Sequence, residues 1–275
     1  MFRTKLTCMA AVLVVNNLTK VFGLTKAVDN ASFEANDSEI FGLLGPNGAG
    51  KTTTIRVIST ILSATSGSAE VEGLDIKKNS ADVRRNIAVL TTETGVYERF
   101  TGRENLEYFG NLYGIFGLNL EKRIKELANL LEMDWFLDKK AGGYSTGMKQ
   151  KLAIARSVIH DPKVLIFDEP TTGLDVLASL TVLNFMKKSK EAGKCVVLST
   201  HQMPDAEKLC DRVCIMHQGK VLLVDSVEGV KKKTKADNLE NAFLNIIKER
   251  NLELPKETYV EPKKSGFSLF NLLNK

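Results

Sequence analysis

Gly45-Pro46-Asn47-Gly48-Ala49-Gly50-Lys51-Thr52 follows the apolar run Ile40–Leu44 and precedes a segment with apolar residues at 55, 58, 61 and 62. The octapeptide fits G-x-x-x-x-G-K-[ST], and its setting is a buried strand running into an amphipathic helix. Glycines at these positions let consecutive backbone N–H groups turn inward, and the following helix adds the positive end of its dipole. Such a loop is built to hold phosphates. Pro46, Asn47 and Ala49 complete its wall, Lys51 reaches the outer phosphate oxygens, and Thr52, followed by Thr53, offers a hydroxyl to Mg²⁺.

A phosphate cradle of this kind needs a carboxylate at the end of a neighbouring buried strand. Val164-Leu165-Ile166-Phe167-Asp168-Glu169 supplies it. Asp168 is placed to hold Mg²⁺ directly or through water. Glu169 emerges one residue later, where it can orient and polarise an attacking water.

Outward from these two motifs, strands and helices alternate. Val12–Val15, Ala31–Ala35, Ile40–Leu44, Val164–Phe167 and Cys195–Leu198 read as strands. Thr52–Leu62, Lys149–Ile159 and Ala178–Glu191 read as helices, and Ser66-Gly67 and Glu72-Gly73 as turns. The pattern predicts an α/β fold, a P-loop NTPase core with a mostly parallel sheet and an antiparallel β region at its N-terminal side. Residues 103–137 read as helical throughout, so a helical subdomain is expected at about 100–160, inserted into the core. The expected division is an N-terminal extension over 1–11, a nucleotide-binding domain over 12–232, and a C-terminal helix with a basic tail over 233–275.

The 275 residues carry a net charge of +5, unevenly placed. Residues 229–275 hold ten Lys/Arg against six Asp/Glu, a surplus of +4 that leaves +1 for the rest of the chain. So neutral a body argues against a nucleic-acid binder. Four cysteines (Cys8, Cys195, Cys210, Cys214) form no disulfide-like array, which fits a reducing compartment. Cys210 and Cys214 read as i, i+4 on a helix, as two small buried residues rather than half a metal site. No apolar run approaches the roughly 18 residues that span a bilayer. The stretch Phe2–Val15 has a faint signal-peptide pattern and reads better as a strand entering the fold.

From about residue 13 to 230 the sequence resembles the nucleotide-binding domain of ABC transporters. Tyr144-Ser145-Thr146-Gly147-Met148 is similar to that family's LSGGQ signature; Thr146 and Met148 depart from it, while Ser145 and Gly147 keep the pattern. The resemblance implies that Ser145 and Gly147, at a helix start, face the γ-phosphate of ATP held by the P-loop of a second ATPase subunit. It also implies that Phe22 stacks on adenine, that Asp175 in Gly173-Leu174-Asp175 links the two sites of a dimer, and that His201 contacts the γ-phosphate. His160 and His217 receive no role. One position departs: Ile87-Ala88-Val89-Leu90-Thr91-Thr92-Glu93 places Thr92 where the family has a glutamine, with a bridging water or Glu93 as the substitute.

Within the family, Tyr144–Lys151, Ile159–Pro162 and Thr171–Val176 resemble ATPase subunits of ABC-2-type exporters, most closely those of sodium-extruding exporters. The implied cofactors are ATP and Mg²⁺. The implied partner is a separate ABC-2-type transmembrane permease, which would hold this chain peripherally on the cytoplasmic face of the membrane. An importer ATPase is the nearer alternative. A soluble ABC ATPase acting on ribosomes or DNA is the other, but its usual tandem domains, coiled coil or zinc motifs are missing here. The tail over 251–275 reads as a mobile terminus or an amphipathic membrane-touching peptide.

Overall fold

The computed structural model describes residues 11–91 and 94–253. The expectations for residues 1–10, for Thr92 and Glu93, and for the tail from residue 254 therefore lie outside the described residues.

Strand β1 (Ala11–Phe22) and β2 (Thr25–Asn36) form a long antiparallel hairpin. β3 (Ile40–Leu44) then runs into α1 (Lys51–Ile58), followed by β4 (Ser66–Val71), β5 (Leu74–Asp75), α2 (Ser80–Asn86) and β6 (Ile87–Leu90). Next come α3 (Gly102–Leu112), α4 (Gly117–Leu130), a 3₁₀ turn at Ala141–Gly143, and α5 (Thr146–Ser157). The chain re-enters the core through β7 (Val164–Asp168), α6 (Val176–Glu191), β8 (Cys195–Thr200) and α7 (Met203–Leu209). It then closes with β9 (Arg212–His217), β10 (Lys220–Ser226), α8 (Val227–Thr234) and α9 (Leu239–Glu249).

Two sheets result. One is antiparallel, in the order β2-β1-β4-β5; the other runs β10-β9-β3-β8-β7-β6, parallel except for β10 against β9. β3, β7 and β8 are buried along their whole length and apolar up to the polar ends Asp168 and Ser199-Thr200, as strands covered on both faces must be. Their side chains divide by the two-residue period. Ile40, Leu44, Leu165, Phe167, Val196 and Leu198 join the core beneath the helices. Phe41, Leu43, Val164, Ile166, Cys195 and Val197 join the core facing α1 and the antiparallel sheet. The central strands are thus fixed between two apolar layers, each fully buried Leu or Ile adding about 1.5–3 kcal/mol. The C-terminal helices belong to the first of these cores through Val227, Val230, Leu239, Ala242, Ile246 and Ile247.

Several local expectations are corrected. The segment 103–137 is not helical throughout: α3 and α4 are separated at 113–116, and turns follow Leu130. Gly114 turns left-handed after α3, and Ile115 N reaches back to Gly110 O at 2.9 Å; Glu132 does the same after α4, with Met133 N on Ala128 O at 2.8 Å. α1 stops at Ile58 because Thr60 is left-handed and Arg56 O takes the amides of both Ile61 and Leu62. β1 and β2 extend well beyond Val12–Val15 and Ala31–Ala35, because each strand supplies the other's ladder. Ser66-Gly67 starts a strand instead of forming a turn. Cys210 and Cys214 share no helix: Cys210 follows α7 and Cys214 lies in β9, both buried. Burial holds the thiols of Cys195, Cys210 and Cys214 protonated, so they are inert apolar filler.

Candidate functional site: a phosphate loop, two carboxylates and a separate helix end

β3 delivers the chain to Gly45, where the loop turns beneath β9. A Cβ at Gly45 would stand 2.3 Å from Met216 O, and one at Gly50 2.5 Å from Ala27 O, with φ at +156° and +101°. Only glycine fits both places. Gly50 is the N-cap of α1 and no side chain caps that helix, so its first amides are left for a ligand. The cleft in front of them, about 480 Å³, is walled by Thr25–Ala27, Asn47–Thr53, Glu169 and Gln218.

Lys51 is 5% exposed, and its Nζ donates to Gly45 O at 2.6 Å and Pro46 O at 3.1 Å. Burial lowers its pKa, and the nearby charges of Glu169 and Asp168 pull it back up. Its Nζ lies 4.0 Å from Glu169 Oε1. The ammonium is therefore already desolvated and curled against the loop, ready to exchange carbonyl partners for phosphate oxygens.

Asp168 ends β7 at 3% exposure. Thr52 Oγ1 donates to its Oδ2 at 2.7 Å and Ser199 Oγ to its Oδ1 at 2.6 Å. A carboxylate touching a hydroxyl beside a phosphate cradle is a hard-oxygen donor set, and Thr52 with Asp168 fits Mg²⁺. Among the described residues no cluster of three or more His, Cys, Asp or Glu could hold a metal by itself.

Glu169 sits in the left-handed region at φ +52°. That backbone is held by its own N–H on Ser199 O at 2.9 Å. Its Oε2 accepts from Thr172 Oγ1 at 3.0 Å; its Oε1 accepts from His201 N at 3.0 Å and lies 2.8 Å from His201 Nδ1. A positive φ on a side chain this long costs about 1–2 kcal/mol, and such strain gathers at working sites.

The remaining expected residues stand elsewhere. Ser145 caps α5 by accepting from Met148 N at 3.3 Å. Gly147 lets α5 approach α6, since a Cβ there would meet Ala178 Cβ at 2.9 Å. Asp175 caps α6 through Ala178 N at 2.8 Å. None of the three lines the phosphate cleft. Phe22 is 47% exposed at the end of β1 and pairs with Thr25, a cleft residue, while Lys20 Nζ lies 4.9 Å over its ring. Thr25–Ala27, Ser199 and Gln218 were not foreseen; each joins the site through sheet pairing or loop packing that no local pattern encodes. A second cleft of about 410 Å³ beside α2 is lined by Arg84, Lys77, Asp75 and several hydroxyls, and by none of the phosphate-loop residues.

Fold and site together define an α/β P-loop nucleotide triphosphatase. The family model described as ABC transporter matches residues 28–172. Aligned over 223 residues, the chain is 40% identical to "ABC transporter ATP-binding protein NatA" of Bacillus subtilis (strain 168), covering 81% of this chain and 91% of that protein. It is 36% identical to "Daunorubicin resistance ATP-binding protein DrrA2" of Streptomyces coeruleorubidus, over 81% of this chain and 69% of that one. Among solved structures, "Structure of ATP binding subunit of ABC transporter" superposes with a TM-score of 0.78 at 29% identity, covering 86% of this chain and 99% of the other. The chain belongs to the ABC transporter family. It is an ATPase, the ATP-binding subunit of a transporter.

Proposed function

We propose that this chain energises a separate ABC-2-type permease of an exporter, with Na⁺ as the cargo, and that it works as a dimer with ATP at the interface. The observation that carries the dimer is the separation of two half-sites on one chain: the phosphate cleft in one place, the Ser145–Gly147 helix start in another. The residues that start α5 do not line the cleft of their own subunit, and in this reading the anionic partner of that helix end is the phosphate bound by a second copy.

In the proposed cycle, the loop amides of Gly45–Gly50 and the Lys51 ammonium grip the phosphates, and Phe22 carries the base. Thr52 and Asp168 would hold Mg²⁺, which neutralises charge on the phosphate oxygens when bound. Glu169 orients the attacking water and takes its proton at Oε1 or Oε2. His201 holds that carboxylate in place and reaches toward the γ-phosphate, and Asp175 sits between the two sites of the dimer. Closure of the dimer is the stroke, and hydrolysis reverses it.

The permease face of this reading is the aromatic group Tyr97, Phe100 and Tyr108, exposed, with Tyr97 edge-on to both of the others. Exposed aromatics with a polar rim are what a membrane partner's cytoplasmic helix would grip. Among the described residues no helix is long and apolar enough to cross a membrane, so attachment to the cytoplasmic face would come through that partner. The deciding experiment is co-expression with a candidate ABC-2-type permease, followed by purification and Na⁺ flux in inverted vesicles. An ATP-driven Na⁺ flux lost in Glu169→Gln is expected; a complex that hydrolyses ATP and moves no Na⁺ removes the cargo assignment.

A further inference from the structure

The strands β9 and β10 are joined by Gln218-Gly219, with φ of +47° and +79° and His217 paired to Lys220. Two positive φ values make this a type I′ turn, whose first position favours Asn, Asp or Gly. Glutamine has no advantage there, and its longer side chain only adds strain. Its presence calls for a reason outside the turn.

The turn is locked against the phosphate loop. Gly219 N donates to Ala49 O at 3.0 Å, and Asp29 N donates to Gly219 O at 2.8 Å. Behind it, the buried His217 has its Nε2 2.9 Å from Glu253 O and its ring edge-on to Phe243 of α9. Gln218 is therefore mounted rigidly on the rim of the cleft that it lines with Thr25–Ala27 and Asn47–Thr53. Nearby cations are already engaged: Lys26 Nζ is 3.2 Å from Asp29 Oδ1 and Lys220 Nζ 3.8 Å from Asp29 Oδ2. The Gln218 amide is exposed and makes no hydrogen bond among the described residues.

A nucleotide with phosphates in the Gly45–Thr52 loop and its base on Phe22 must lay its sugar across the wall between them. Ala27 and the Gln218 turn form the cleft wall against Gly50, where an added Cβ would meet Ala27 O at 2.5 Å and Gly219 Cα at 3.2 Å, and Phe22 pairs with Thr25 two residues before Ala27. A ribose offers two hydroxyls, each donor and acceptor, and a primary amide matches both roles. We infer that Gln218 hydrogen-bonds the ribose hydroxyls of the bound nucleotide, making it a residue by which this cleft selects ribonucleotides. This rests on the assignment of the phosphate cleft and Phe22 given above.

The test is calorimetric titration of the purified chain with Mg²⁺ and either ATP or 2′,3′-dideoxyATP. Wild type should prefer ATP about fivefold, the size of one net hydrogen bond. Gln218→Asn suits the turn better but falls one methylene short, and Gln218→Gly removes the amide altogether. In both, the preference should drop below about twofold, with dideoxyATP affinity unchanged and thermal midpoints no lower than wild type. A preference that persists in both variants, or is missing from wild type, overturns the ribose contact. Failure of wild type to bind either nucleotide overturns the cleft assignment and the contact together.

Discussion

His201 Nδ1 lies 2.8 Å from Glu169 Oε1, and the His201 backbone N–H donates to the same oxygen at 3.0 Å. The two residues are 32 apart in sequence and meet because β7 and β8 pair in parallel, Asp168 opposite Ser199. The carboxylate thus has one oxygen held by histidine and the other by Thr172. Fixed at both ends, it is a group whose direction the fold specifies.

Glu169→Gln keeps the shape and loses the basicity. ATP binding should be retained, while turnover falls at least about 10²-fold, the scale of a lost general base. The variant should accumulate as an ATP-bound dimer on a sizing column. Turnover near the wild-type rate would remove Glu169 from this role.

Mixing Lys51→Ala with Ser145→Arg subunits tests the shared site. Lys51 serves the phosphate loop and Ser145 the start of α5, which lies outside the cleft of its own chain. Each variant alone should be inactive. The mixture should recover part of the ATPase rate, because one interface then joins an intact loop to an intact helix end. Ser145→Arg also loses a helix cap worth about 1 kcal/mol, so circular dichroism should first show it folded. A mixture as inactive as its parts argues for hydrolysis within one chain.

His160 predicts an acid-side weakness. Its Nε2 bonds Ile87 O at 3.1 Å, its ring stacks on Tyr113 at 3.8 Å, and its buried Nδ1 has no partner. Burial, above all, pushes its pKa down to about 4. The unfolded chain binds a proton near pH 6.5 and the folded chain does not, so stability falls as pH drops from about 6.5 toward 4. The loss is on the order of 2 kcal/mol across that window. Between pH 7.5 and 5 the thermal midpoint of wild type should fall further than that of His160→Phe, because only wild type carries this group. Parallel curves would show that His160 contributes nothing to the slope.

The residues whose role depends on near neighbours were readable in advance. The glycines of the loop, the Lys51-Thr52 pair and the apolar run ending in Asp168-Glu169 each state a local requirement, for φ, for a helix start or for a buried parallel strand. Helix ends were less readable. Thr60 and Glu132 adopt left-handed backbone that their types do not announce, and so α1 and α4 stop before the apolar pattern does. Cys210 and Cys214 showed how four-residue spacing misleads when the helix has already ended at Leu209 and a strand begins at Arg212.

By itself, then, the sequence determined that this chain is a P-loop ATPase of α/β build. Phosphate binding there needs contiguous glycines, a lysine and a helix start, and contiguous residues carry their own spacing. Only the tertiary structure decided that Ser199 braces Asp168, that His201 aims Glu169, and that Gln218 stands over the cleft. Those meetings depend on strand order and register, which are set when two apolar layers close over the sheet. They join residues as far apart as about 190 positions, as Asp29 and Gly219 are, and no local pattern encodes a distance of that kind.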